Sequence, residues 1–112
     1  MPNQSAQLNR VFQALADPTR RAVLERLNRG PTSMSDLAQP FDMALPSFSQ
    51  HLDVLEGCCL VSSQKRGRIR TYRLVSKRLR QAEDWLHAQR IQWERRFDQL
   101  DEFLLSEKEQ QP

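Results

Sequence analysis

The chain has 112 residues, 38% of them hydrophobic and 28% charged, with 17 lysines and arginines against 14 aspartates and glutamates. That length supports one domain with a modest core, and no apolar run approaches the roughly 20 residues a bilayer span requires, so a membrane protein is not expected. The polar start Met1-Pro2-Asn3-Gln4, together with neighbouring cysteines (Cys58 and Cys59) that staple no distant segments, predicts a soluble chain in the reducing cytoplasm.

The first predicted helix covers residues 3–16, where Leu8, Val11, Phe12 and Leu15 form an apolar stripe at helical spacing. Asp17-Pro18 reads as an N-cap followed by proline at the first helical position, opening a second helix through Val23, Leu24 and Leu27 to a stop at Gly30-Pro31. Ser33 with Asp36 resembles a capping box and opens a short third helix around Leu37 and Ala38 that ends near Pro40. Only Phe41-Asp42-Met43-Ala44 separates it from the next helix, which is helix-turn-helix spacing.

The fourth helix, residues 45–56, is entered through Pro46, whose missing N–H would have been an orphan donor in the first turn. At about 100° per residue, Leu45, Phe48, Leu52 and Leu55 share one side and are expected to face a core. Pro46, Ser47, Gln50, Asp53 and Val54 then lie opposite, flanked by Ser49 and His51. Small hydroxyls and an amide on an exposed helix suit a major groove about 12 Å wide. Alone, the same pattern equally describes an amphipathic helix with a solvated face.

The next segment decides between these readings. Residues 60–64 and 69–74 read as two strands joined by Lys65-Arg66-Gly67-Arg68, with Gly67 supplying the positive φ of a tight hairpin. Lys65, Arg66, Arg68, Arg70 and Arg73 place five cations within nine residues and no acid among them, an arrangement that repels itself unless a polyanion is the partner. The charge is concentrated here: residues 44–80 carry eight basic and two acidic residues, whereas residues 1–43 net +1 and residues 81–112 net −4.

From Ser76 to about Leu105 no glycine or proline intervenes, and a long helix is predicted. Leu86, Trp93, Phe97, Leu100 and Leu104 recur at intervals of seven, four, three and four, close to a coiled-coil seam, with Trp85 and Phe103 widening it. This is more apolar surface than one such helix hides on a small domain, so a homodimer is expected, the alternative being an intramolecular core. A single domain over residues 1–105 with a frayed tail over 106–112 follows.

These segments together resemble the ArsR/SmtB family of dimeric winged-helix repressors. The resemblance rests on Phe12-Gln13-Ala14-Leu15-Ala16-Asp17-Pro18-Thr19-Arg20-Arg21, then Ser49-Gln50-His51-Leu52-Asp53-Val54-Leu55-Glu56, then Gly67-Arg68-Ile69-Arg70-Thr71-Tyr72-Arg73-Leu74, in that order. It implies a mainly α winged helix-turn-helix fold with a small β-hairpin, ordered α-α-α-α-β-β-α, that dimerises through its first and last helices. Leu8, Phe12, Leu86, Trp93, Phe97, Leu100 and Leu104 would form that interface. By position, Ser47, Ser49, Gln50 and His51 inherit the recognition-helix role, and Lys65, Arg66, Arg68 and Arg70 the wing. The implied function is a homodimeric, sequence-specific transcriptional repressor on an inverted repeat in double-stranded DNA.

Departures from the family pattern narrow this expectation. Metal-sensing members carry a Cys-x-Cys pair on the third helix, but this chain reads Thr32-Ser33-Met34-Ser35-Asp36. Other members place zinc ligands across the last helix; here Asp84 and His87 are present, yet position 97 is Phe97 and no second histidine follows. A tetrahedral site needs about four ligands, so neither a metal nor another cofactor is expected, and the effector is left open. Cys59 stands where glycine would end the recognition helix in left-handed geometry, unless that helix stops at Gly57. Cys58 and Cys59 suit either a thiol switch or small, partly buried fillers, the ordinary behaviour of free cysteines. As a nucleophile and base, Cys58 and His51 would lie about 10 Å apart along one helix, beyond hydrogen-bond reach, so no enzyme is expected. A winged-helix module that binds protein instead of DNA is the remaining alternative, and the +6 segment argues against it.

Overall fold

The computed structural model describes residues 4–110. In chain order the elements are α1 (Gln4–Leu15), α2 (Pro18–Leu27), β1 (Thr32–Ser33), α3 (Met34–Ala38), α4 (Leu45–Gly57), β2 (Val61–Arg66), β3 (Ile69–Leu74) and α5 (Ser76–Gln110). All five expected helices and both strands of the hairpin are present, and β1 is an addition. The expected start of the first helix at Asn3, like Gln111 and Pro112 of the tail, lies outside the described residues. Those residues fall into two compact units, the first ending at Ala82 and the second beginning at Glu83.

In the first unit, the core is built from one face of each helix and the root of the sheet: Val11, Val23, Leu37, Phe48, Leu52, Leu55, Leu60, Val61 and Tyr72 are all buried. Each large apolar side chain removed from water here stabilises the fold by about 1.5–3 kcal/mol. Phe41 stacks on Phe48, ring centroids 5.3 Å apart, and so covers the core from the link between α3 and α4.

The α2 start follows the sequence closely. Asp17 is its N-cap, with a carboxylate oxygen accepting the Arg20 backbone N–H at 3.0 Å, and Pro18 occupies the first turn. Burial opposes ionisation of the Asp17 carboxyl, but the Arg20 N–H, the positive charge that His51 carries when protonated, the Arg20 charge and the Thr19 N–H outweigh it and hold the group below its ordinary range. The folded chain therefore binds fewer protons here than the unfolded one. Its stabilisation is complete above about pH 4 and is lost as pH falls through the lowered value. Asp17→Asn keeps the cap but removes the charge, and unfolding followed across acidic pH should show a shallower loss of stability than wild type; parallel curves would discount the charge.

At α4 one expectation fails. Leu45 is 55% exposed and does not join Phe48, Leu52 and Leu55 in the core. It is the first residue of the helix, and helical side chains lean toward the N terminus. Its side chain therefore overhangs the helix start, beside Met34 and Ala38, which are themselves only partly buried. At the other end, Cys59 has φ +63°, its N–H bonds the Glu56 carbonyl, and the Leu60 N–H bonds the Leu55 carbonyl at 3.0 Å. This is a Schellman termination, with buried Leu55 and Leu60 as its apolar pair and a cysteine in the left-handed position at a cost on the order of 1 kcal/mol.

The three strands form an antiparallel sheet in the order β1-β3-β2. Strand β2 reaches Arg66, two residues further than expected, and the turn contracts to Gly67 and Arg68. Gly67 has φ +63° at the first central position, as a type II′ hairpin requires. A Cβ there would touch nothing, so glycine is needed for its conformation and not for space. Helix α5 likewise passes the expected end near Leu105 and continues through Gln110, because Glu107, Lys108 and Glu109 are good helix formers and no breaker intervenes.

Candidate nucleic-acid interface

On α4, Ser47, Gln50 and Asp53 are exposed beside Val54, while Ser49 and His51 are half-buried. The buried row Phe48, Leu52 and Leu55 fixes the rotation of the helix, and the polar row is left outward by the same periodicity. In the hairpin, Lys65, Arg66, Arg68, Arg70 and Arg73 are all exposed. Register sets their directions: Lys65 pairs with Arg70, and Ser62 with Arg73, on opposite faces of the ribbon, while Arg66 pairs with Ile69 and Arg68 sits in the turn. The cations thus ring the ribbon instead of lining one face.

Two of the expected site residues have further partners inside the chain. Arg70 donates through Nη1 to Ser63 Oγ at 2.9 Å, and the Ser63 hydroxyl donates in turn to the Glu56 carboxylate, 3.0 Å from each oxygen. This relay joins the wing to the last turn of α4. Tyr72, buried beside it, has its phenol pushed up by burial and then by the Glu56 charge. The second residue is His51, whose Nδ1 lies 3.2 Å from Arg20 Nη1 and 3.7 Å from the Asp17 carboxylate. Arg20 also donates from Nε to the Ala14 carbonyl at 2.9 Å and from Nη2 to the Gln13 carbonyl at 3.0 Å. It therefore closes the last turn of α1, where the Gln13 carbonyl otherwise accepts only the Ala16 N–H at 3.3 Å, and holds α4 with the same fork. Neither relay was read from the sequence; the only local sign was an arginine directly after the Asp17-Pro18-Thr19 cap.

Strand β1 completes the frame. Thr32 pairs with Tyr72 and Ser33 with Thr71, and Ser33 Oγ accepts the Asp36 N–H at 3.3 Å as the N-cap of α3. One residue thus ends the strand and starts the helix, tying the helix-turn-helix to the wing.

Cys58 is buried, its thiol donating to the Leu55 carbonyl at 3.4 Å, whereas Cys59 is exposed. Burial pushes the Cys58 thiol up and keeps it protonated at neutral pH, which lowers its reactivity. Labelling the native chain with a thiol reagent should modify Cys59 alone, with Cys58 reacting only after denaturation. Equal labelling in the native state, read by mass spectrometry, would contradict the burial assigned to Cys58.

Known proteins carry the same frame. Residues 15–58 match a family described as a helix-turn-helix domain. The transcriptional repressor SdpR of Bacillus subtilis is 34% identical over 79 residues, a match spanning 70% of this chain and 88% of that protein. A solved ArsR family transcriptional regulator superposes with a TM-score of 0.79 at 51% identity, covering 84% of this chain and 97% of that one. An ArsR-like transcriptional regulator from Rhodococcus does so at 0.75 and 33% identity, covering 88% and 93%. With the fold and the sequence both in agreement with these relatives, the chain belongs to the ArsR family of winged helix-turn-helix DNA-binding transcriptional regulators.

Proposed function

We propose that the chain acts as a homodimeric repressor that occludes a promoter by binding an inverted repeat. The observation that carries this reading is the pairing, in one compact unit, of an outward polar face on α4 with a hairpin whose five cations are all exposed. Two α4 helices related by a two-fold axis enter successive major grooves, with Ser47, Ser49, Gln50 and His51 at the DNA, while Lys65, Arg66, Arg68 and Arg70 meet phosphates. Repression is supported by the relatives, among them SdpR. Dimerisation is supported by α5, where Leu86, Trp93, Phe97, Leu100 and Leu104 are 50–65% exposed in the single chain. Leu8 and Phe12 on α1, half-buried against the core, are the α1 residues of this reading.

A gel shift on the DNA upstream of the chain's own coding region tests the reading, with loss of transcription from that promoter as the expected companion. Within it, Gln50→Ala should lower discrimination among operator variants by about 1–3 kcal/mol and leave affinity for random DNA nearly intact, because an amide pairs with the edge of adenine. Equal losses on operator and random DNA would reduce Gln50 to a positioning contact.

A further inference from the structure

The contact between Arg20 and His51 fixes more than the position of a side chain. A guanidinium has five N–H donors and no acceptor, and it keeps its proton in proteins. Its Nη1 lies 3.2 Å from His51 Nδ1, and a hydrogen bond between them requires Nδ1 to be the acceptor, without a proton. A neutral imidazole with a bare Nδ1 carries its hydrogen on Nε2. No buried side-chain nitrogen or oxygen lacks a partner among the described residues, and Nε2 has none of its own there, so Nε2 reaches solvent. The competing arrangement is also present: the Asp17 carboxylate, 3.7 Å from Nδ1, would accept a proton placed on that nitrogen. Arg20 is itself held by the Gln13 and Ala14 carbonyls, which aim its fork at α4 and leave Nη1 for the histidine.

We propose that Arg20 is a positioning residue of the DNA interface: by donating to Nδ1 it holds His51 as the uncharged tautomer protonated on Nε2, and α4 thereby offers one N–H donor to a phosphate oxygen of DNA. The proposal rests on the DNA-binding reading and gives His51 a contact to the backbone in place of a base. Phosphate contacts fix register and carry no sequence information, so His51 sets how α4 sits in the groove while Gln50, one residue earlier and about 100° around the helix, reads the base edge.

Two measurements test it on the full chain. Nitrogen-15 NMR of the imidazole rings, with His87→Gln used to assign the two histidines, should show Nε2 protonated and Nδ1 bare in the wild type. In Arg20→Ala the proton should move toward Nδ1 and Asp17. If that variant fails to fold, Arg20→Lys, with one amine in place of the fork, should show the same shift in part. A wild-type ring protonated on Nδ1 would overturn the proposal. The second measurement compares His51→Asn, which keeps an acceptor near Nδ1 and loses the outward donor, with His51→Gln, which keeps a donor near Nε2. His51→Asn should weaken binding on the order of tenfold, equally on operator and random DNA, with His51→Gln recovering part of the loss. Equal affinities for the two variants, or a loss confined to the operator, would overturn the phosphate assignment. A wild-type chain that binds no DNA would remove the underlying reading, and the NMR result would report that failure separately from failure of the tautomer.

Discussion

Trp93→Glu combined with Leu100→Glu is expected to convert the proposed dimer into monomers and to abolish operator binding. Both side chains stand in the exposed apolar stripe of α5, 63% and 51% exposed in the single chain. Contiguous apolar surface of this kind marks an interface on a soluble protein. A pair of carboxylates placed in a buried seam has no partner there and costs several kcal/mol per subunit. The consequence for DNA is large because two half-sites bound together act at high effective concentration. Losing one lowers affinity by about 10²–10⁴ without touching a DNA contact. Sedimentation equilibrium, circular dichroism and operator titration on the same variant separate the possibilities. A folded monomer with undiminished operator affinity would sink both the seam and the two-fold arrangement.

The second large effect is expected at the hairpin tip. Replacing Arg66 and Arg68 with glutamine should weaken binding to every DNA sequence and flatten the dependence of affinity on salt by up to about two units of slope, since each phosphate contact releases about 0.9 counterion. At physiological salt that corresponds to a loss on the order of 30-fold. Both residues are exposed, Arg66 at the end of β2 and Arg68 in the turn, so their removal leaves the core intact and the unfolding midpoint nearly unchanged. Titrations at several salt concentrations give the answer directly, and an unaltered slope would take the wing out of the interface.

Much of this architecture was legible in the residues because its causes are local. Asp17-Pro18 announces a helix start, Gly67 a hairpin, and the rows through Val11, Val23 and Phe48 a common core, each within a few positions. Cys59 was legible as a choice between two helix ends, and the structure combines them: the last helical residue is Gly57, and Cys59 takes the left-handed geometry of the cap that follows. What escaped depends on partners far apart in sequence. Thr32 becomes a strand only because Tyr72 lies beside it, and an isolated Thr-Ser pair has no periodicity to announce that. Arg20 meets His51 across 31 positions, and Arg70 reaches Glu56 only through Ser63. Leu45 failed for a different reason: a helical wheel assigns faces but not ends, and the first residue of a helix has no preceding turn to cover.

The third strand gives the wing the mechanics of a cantilever. Tyr72 is clamped on both sides, by Ser63 of β2 and Thr32 of β1, and its buried ring anchors it to the core. Beyond Thr71 the ribbon has only two strands, and the Arg70–Ser63–Glu56 relay ties it to α4 short of the tip at Gly67 and Arg68. Thermal deflection of a beam fixed at one end grows with distance from the clamp, so the charges at the tip sweep a volume while those near the root hold still. On the proposed interface such a tip would find phosphates over a range of groove widths, while α4, joined to the clamped end, would hold one alignment. A rigid reader and a compliant electrostatic arm are thereby built from one continuous stretch of chain, with stiffness graded by the number of strands beneath each residue.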